Sequence, residues 1–275
     1  MPGAYGLPPE TPAETTTRLR PVRTRHPARA AAAVACLVLG LGLVGGAAAG
    51  AWLTGEANGA PATRTGYTEI RTLWHSTPVD TLFPRTVDGE GTGPGGADRV
   101  WTRIAVAPAG PCADALDPLL VRALRPVGCT RVLRATYTDE TASNVTTVGL
   151  VLTEGDRAGM TALGARFVRE GLARRTDLMP RALAAPGTVA AGFGDAQRAS
   201  WRVNALTDAP VLVYAVSGFA DGRPFAAPEP ADEAMRKGRT TAAAQSGLGN
   251  EARGLADRIE RGLRARIAAA VEEPE

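Results

Sequence analysis

Two histidines and three cysteines are all that the 275 residues offer for imidazole or thiol chemistry. His26 lies in a Pro- and Arg-rich stretch, and His75 lies in a segment between two small-residue runs. Neither is expected to be held by the stiff shell that a general base needs. A Ser-His-Asp set would have to join His75 to Ser200 or Ser217, and nothing in the sequence orders that histidine. The motifs GxSxG and HExxH and the phosphate-binding loop are missing. Gly91, Gly93 and Gly96 match GxGxxG in form only, because no apolar strand leads into them and no amphipathic helix follows directly. The neighbouring carboxylates Asp139 and Glu140 fall on a polar hairpin turn, where solvation is expected rather than paired acid–base work. Asn144-Val145-Thr146 has the form of a glycosylation sequon, to which no role is given. No catalytic residue, cofactor site or metal site is assigned. Zinc in particular would need His or further Cys close to Cys112 and Cys129, and the sequence has none there.

Composition removes another class of function. Of 31 basic residues only Lys237 is lysine, which together with 32 Gly and 21 Pro reads as coding bias rather than ligand selection. The first 29 residues carry five Arg and two Glu, and so account for the whole net charge of +3. The remainder is balanced. A nucleic-acid partner is not expected, since displacing counterions from phosphates takes a basic surface.

The stretch AAAAVACLVLGLGLVGGAAAGAWLTG, residues 30–55, holds no charge. Taken as a helix, residues 30–53 span roughly 36 Å at about 1.5 Å per residue, enough to cross a hydrocarbon core with some tilt. Arg18, Arg20, Arg23, Arg25 and Arg29 precede it, whereas the charges after it begin with Glu56. The positive-inside rule then puts the N-terminus in the cytoplasm and the bulk of the chain outside. Trp52 suits the outer interface. A cleaved signal peptide, with Ala47 and Ala49 as small residues, is the alternative, and the long leader and apolar run argue for an uncleaved anchor. Gly42, Gly46 and Gly50 share one helix face and would permit close packing between anchors, although Ala/Gly bias alone also yields such spacing.

Residues 1–29 are rich in Pro and Thr and are expected to be a disordered tail. Residues 54–96 read as a stalk whose second Gly-rich part is DGEGTGPGG. Within it, segment 70–84 holds Trp74, Leu82 and Phe83, too apolar for a spacer, so they are expected to dock on the following domain or else to meet a partner. An α+β domain is expected over 97–220, with strands at 100–107, 131–138, 145–152, 199–206 and 211–216. Helices are expected over 113–124 and from Asp156 as cap to about residue 172. This order suggests a ferredoxin-like, split βαβ layer of helices on an antiparallel sheet. Residues 221–249 read as a linker. Over 250–271, Leu255, Ile259, Leu263 and Ile267 recur every four residues in an amphipathic helix capped by Asn250, with Asp257–Arg261 and Glu260–Arg264 as ion pairs on its wet face. Docking on its own sheet is expected ahead of a partner helix or the membrane surface.

Cys36 belongs to the apolar run, so Cys112 and Cys129 are the pair available for a disulfide in an oxidising compartment. A helix of about nine residues between them would span roughly 13 Å, so the flanking loops would have to fold back. The stretch CADALDPLLVRALRPVGCTRVLRATYTDETASNVTTVGLVL, with LWHSTPVDTLFP upstream, resembles a group of uncharacterised single-pass membrane proteins of actinobacteria. The likeness covers about residues 70–155 and rests on the cysteine pair, the RATY strand and the TVG strand. It implies a disulfide-bonded extracytoplasmic domain on one anchor, and no activity.

Together these features lead to a non-enzymatic, membrane-anchored sensor, scaffold or interaction domain of the cell envelope. Its partners would be the membrane itself and an envelope protein or a second copy joined through the anchor. An envelope hydrolase with a carboxylate-based site on the α+β domain is the alternative.

Overall fold

The computed structural model describes Tyr67, Ile70 and residues 75–272. The tail, the apolar run with Gly42, Gly46 and Gly50, and Trp74 lie outside the described residues. Among the described residues no helix is long and apolar enough to cross a membrane.

Among the described residues seven strands form one sheet: β1 Thr86–Gly89, β2 Arg99–Gly110, β3 Cys129–Asp139, β4 Asn144–Thr153, β5 Ser200–Ala205, β6 Val211–Phe219 and β7 Glu229–Pro230. Their order is β1-β2-β3-β4-β6-β5-β7, antiparallel throughout except where β7 lies parallel to β5. The helices are α1 Val79–Leu82, α2 Cys112–Ala115, α3 Pro118–Ala123, α4 Arg157–Arg169, α5 Ala231–Ala234, α6 Ala242–Gln245 and α7 Leu248–Glu272. The α+β class, the mainly antiparallel sheet and the C-terminal helix are as expected. The strand order narrows the ferredoxin-like expectation. β4 and β5 run parallel with β6 between them, one split βαβ unit through α4, but β2 and β3 hydrogen-bond directly to each other.

Both faces of the sheet are covered, which the sequence carried in a form easily read as a one-sided strand. Every residue of β4 is buried, and in β6 only Phe219 is partly exposed. Runs such as VGLVL and VLVYAV are continuous rather than alternating, the pattern of strands with packing on each side. One core holds Val132, Val151, Leu212, Tyr214, Trp201 and the α4 residues Met160, Leu163 and Phe167. The Pro- and Gly-rich connection 173–198 closes the rest of that face, with Leu178, Met179, Ala185 and Phe193 buried. It is fastened where Leu183 N–H donates to Thr147 Oγ1 and Thr136 Oγ1 donates to the Leu183 carbonyl. On the other face α7 buries Leu255, Ile259 and Leu263 against Leu150, Val211 and Val213, so the C-terminal helix docks on its own sheet.

Local chemistry explains the helix boundaries. The Asp156 carboxylate accepts from Gly159 N–H and opens α4. The single helix expected over 113–124 is two. Pro118 disfavours helical backbone at Asp117, which sits at φ −63 and ψ 142 and caps α3 by accepting from Leu119 N–H. That break, with Gly128 at φ 61 beyond α3, turns the chain back on itself and brings Cys112 and Cys129 to a Cα–Cα distance of 6.2 Å in a disulfide. Asn250 is not the cap of α7. It lies inside the first turns and its amide donates to the Thr92 carbonyl. Arg258 reaches the Glu90 carbonyl, so the Gly-rich stretch forms a strap hooked onto α7. Residues 221–249, expected as a linker, carry β7, α5 and α6. Glu229 there is buried and bonded by Arg239 and Thr241, and Ala234, Ala243 and Leu248 form a small core with Ala199.

Candidate functional site

Leu82 and Phe83 follow from the strong apolar character of segment 70–84 and are 7% and 1% exposed, within the core beneath α7. They are therefore docked and are not presented to a partner, the alternative weighed for them. The hairpin turn uses Asp139 structurally, its carboxylate accepting from Ser143 and Asn144 N–H, while Glu140 is exposed beside it. Ser217 donates to the Leu248 carbonyl inside the core, and Ser200 is equally buried. His75 lines a separate depression with Thr130, Arg131 and Glu154, so the structure does not bring it to either serine. Among the described residues no group of three or more His, Cys, Asp or Glu could hold a metal ion.

A buried ionic cluster forms a pin between elements. Trp101 on β2 is fully buried in a slot made by two glycines: a Cβ on Gly89 or Gly254 would fall 2.4 or 2.8 Å from its ring. Its indole N–H donates to Glu251 Oε2 on α7, and Glu251 Oε1 lies 2.9 Å from Arg99 Nε. Burial raises the Glu251 pKa above the ordinary carboxylate value, outweighing the Trp101 hydrogen bond and the Arg99 charge. The folded state thus holds the proton more tightly than the unfolded chain. The stability that this protonation supplies is present at low pH and is lost as pH rises through the folded pKa. The stability difference between the native protein and Glu251→Gln is therefore expected to shift in favour of the native protein as pH falls from 7 toward 5. Thermal melts of both proteins across that range measure it, and a shift of opposite sign would contradict the assignment.

A groove of about 750 Å³ runs along β5. Packing dictates its walls. Gly164, Phe167, Val168 and Gly171 come from α4 and the turn after it, while Pro230, Ala231, Asp232 and Arg264 come from the β7–α5 corner and α7. Trp201, Val203 and Ala205 lie between them on β5. Side chains alternate across the strand: Trp201 and Val203 join the α4 core, whereas Arg202 pairs with Asp257 at 3.0 Å and Asn204 donates to Glu260, both on α7. Glu260 is consequently buried rather than on the wet face, although it keeps the expected partner Arg264, and Asp257 pairs with Arg202 and Arg253. Val168 is 84% exposed at the rim. The lining carries a single carboxylate, Asp232, whereas glycoside hydrolysis requires a facing pair. Of the groove residues the sequence names Arg264, as the partner of Glu260 on the helix, and marks none of them as part of a site. They come from four separate stretches of chain, and the local signals that bear on the groove are the proline that ends β7 and the glycines at 164 and 171.

Comparison with protein-family models, with curated proteins and with solved structures finds no match for this chain.

Proposed function

We propose that the chain is a membrane-anchored, extracytoplasmic binding domain of the cell envelope and acts without catalysis. Residues 30–53 are its single span, the Arg-rich tail is cytoplasmic, and Gly42, Gly46 and Gly50 form a packing face through which two anchors associate. The kinship with actinobacterial single-pass membrane proteins belongs to the same reading. The Cys112–Cys129 disulfide supports an oxidising compartment. The observation that carries the binding role is the groove on β5, whose charged walls are already tied up in fixed pairs, Arg174 with Glu233, Arg202 with Asp257 and Arg264 with Asp208. Such side chains offer shape and fixed dipoles rather than a free group to move protons.

Topology is tested by adding protease to intact cells that carry the full chain. The C-terminal portion is expected to be cut along with other surface proteins. Its survival while a surface control is digested would overturn the reading.

A further inference from the structure

From the hydrogen-bond phase of β5, we infer that the groove binds an extended polypeptide segment as an additional strand, with apolar side chains at alternate positions. This inference rests on the binding role proposed above and specifies the ligand. Leu206 N–H donates to the Val211 carbonyl, which fixes Leu206 as a residue bonded to β6. Counting back by two along the β5–β6 register, Asn204 opposite Val213 and Arg202 opposite Ala215 also face β6 with their N–H and C=O groups. Val203 and Ala205 therefore point theirs the other way. On that side the Ala199 carbonyl accepts from Glu229 N–H, and the pairing with β7 covers only Ser200 and Trp201 before Pro230 and α5 take over. Among the described residues no strand pairs with Val203–Ala205 on this edge.

A row of unpaired peptide groups on an edge strand is a template for another extended chain. The three residues cover roughly 10 Å at about 3.3 Å per residue, room for three residues of a partner. What enters is restricted because the edge is recessed between the α4 side and the α5–α7 side. A second copy carries its own β5 equally recessed, so two such edges cannot meet, whereas a single extended strand fits. One face of that strand would lie against Phe167 and the exposed Val168, which calls for apolar side chains at every second position. Its other face would meet Asp232 and Arg264, where polar side chains remain hydrated.

The test uses the full chain purified in detergent and a capped heptapeptide alternating valine and threonine. Its controls are the same peptide with alternate backbone nitrogens methylated and an all-polar threonine–serine version. The readout is amide hydrogen exchange. The Arg202 and Asn204 amides, bonded to β6, should be protected with or without peptide. Those of Val203 and Ala205 should exchange freely alone and slow at least tenfold with the valine peptide but with neither control. Ala205→Pro removes one outward N–H without touching a β6 bond and should abolish the effect. Val168→Glu, a change at an exposed position, should weaken binding at least tenfold even if the proline variant misfolds. Peptide binding that leaves the Val203 and Ala205 amides unchanged, or no binding at millimolar peptide, would overturn the inference while leaving the topology result untouched. Slowing of those amides by self-association alone would overturn it in favour of a second copy.

Discussion

Replacing Trp101 by alanine is expected to cost about 3–5 kcal/mol, the range for emptying a large aromatic site in a core. At roughly 2–4 °C per kcal/mol for a domain of this size, the melting temperature should fall by about 6–20 °C. The reason lies in how many elements share that indole. It fills the slot between Gly89 on β1 and Gly254 on α7 and holds Glu251 by its N–H. Neither glycine can supply a side chain to refill the space without having blocked it in the native protein. Trp101→Phe separates the two contributions. It keeps most of the apolar contact but strips the donor from a buried carboxylate, at a cost of about 1–3 kcal/mol. Denaturant melts of both variants decide the matter, and a Trp101→Ala protein as stable as the native one would show that α7 is held without the pin.

Loss of the Cys112–Cys129 bridge is expected to cost about 3 kcal/mol, from loop-closure entropy returned to the unfolded chain over a separation of 17 residues. The same loss should follow from reduction and from the double Cys112→Ser, Cys129→Ser variant. With three cysteines in the chain, the denatured, unreduced protein should show one reactive thiol, and three after reduction. Three thiols before reduction would refute the bond. The bridge joins the first residue of α2 to the first residue of β3, so its removal should loosen the α2–α3 hairpin over the α4 face before it disturbs α7.

How much of this was legible in the sequence depends on whether the signal was local. The central strands were, because Val, Thr, Leu and Tyr fill them between polar turns, and Asp156 announced α4 by its own capping chemistry. Pro118 was equally visible, yet the apolar residues on both sides of it suggested one helix, although a proline restricts the residue before it. The second covering of the sheet was encoded in the unbroken apolar runs of β4 and β6. The spacing of Leu255, Ile259 and Leu263 gave the buried face of α7, but the fate of Glu260 turned on Asn204, 56 residues away. The groove was not legible at all. It depends on which backbone groups of β5 face outward, and that follows from register and from where β7 stops.

The strap over α7 also fixes an order of events in biosynthesis. Thr92 and Glu90 find their partners at Asn250 and Arg258, so contacts that complete β1 and β2 are supplied by a helix made after every strand of the sheet. Such long sequence separation slows folding. Until residues 248–263 emerge, the side of the sheet that bears Leu150, Val211 and Val213 meets the segment with Ile70, Leu82 and Phe83 but lacks the helix that completes its cover. A nascent chain arrested before that helix would carry a sticky apolar surface, the condition under which partly made proteins aggregate or are held by chaperones.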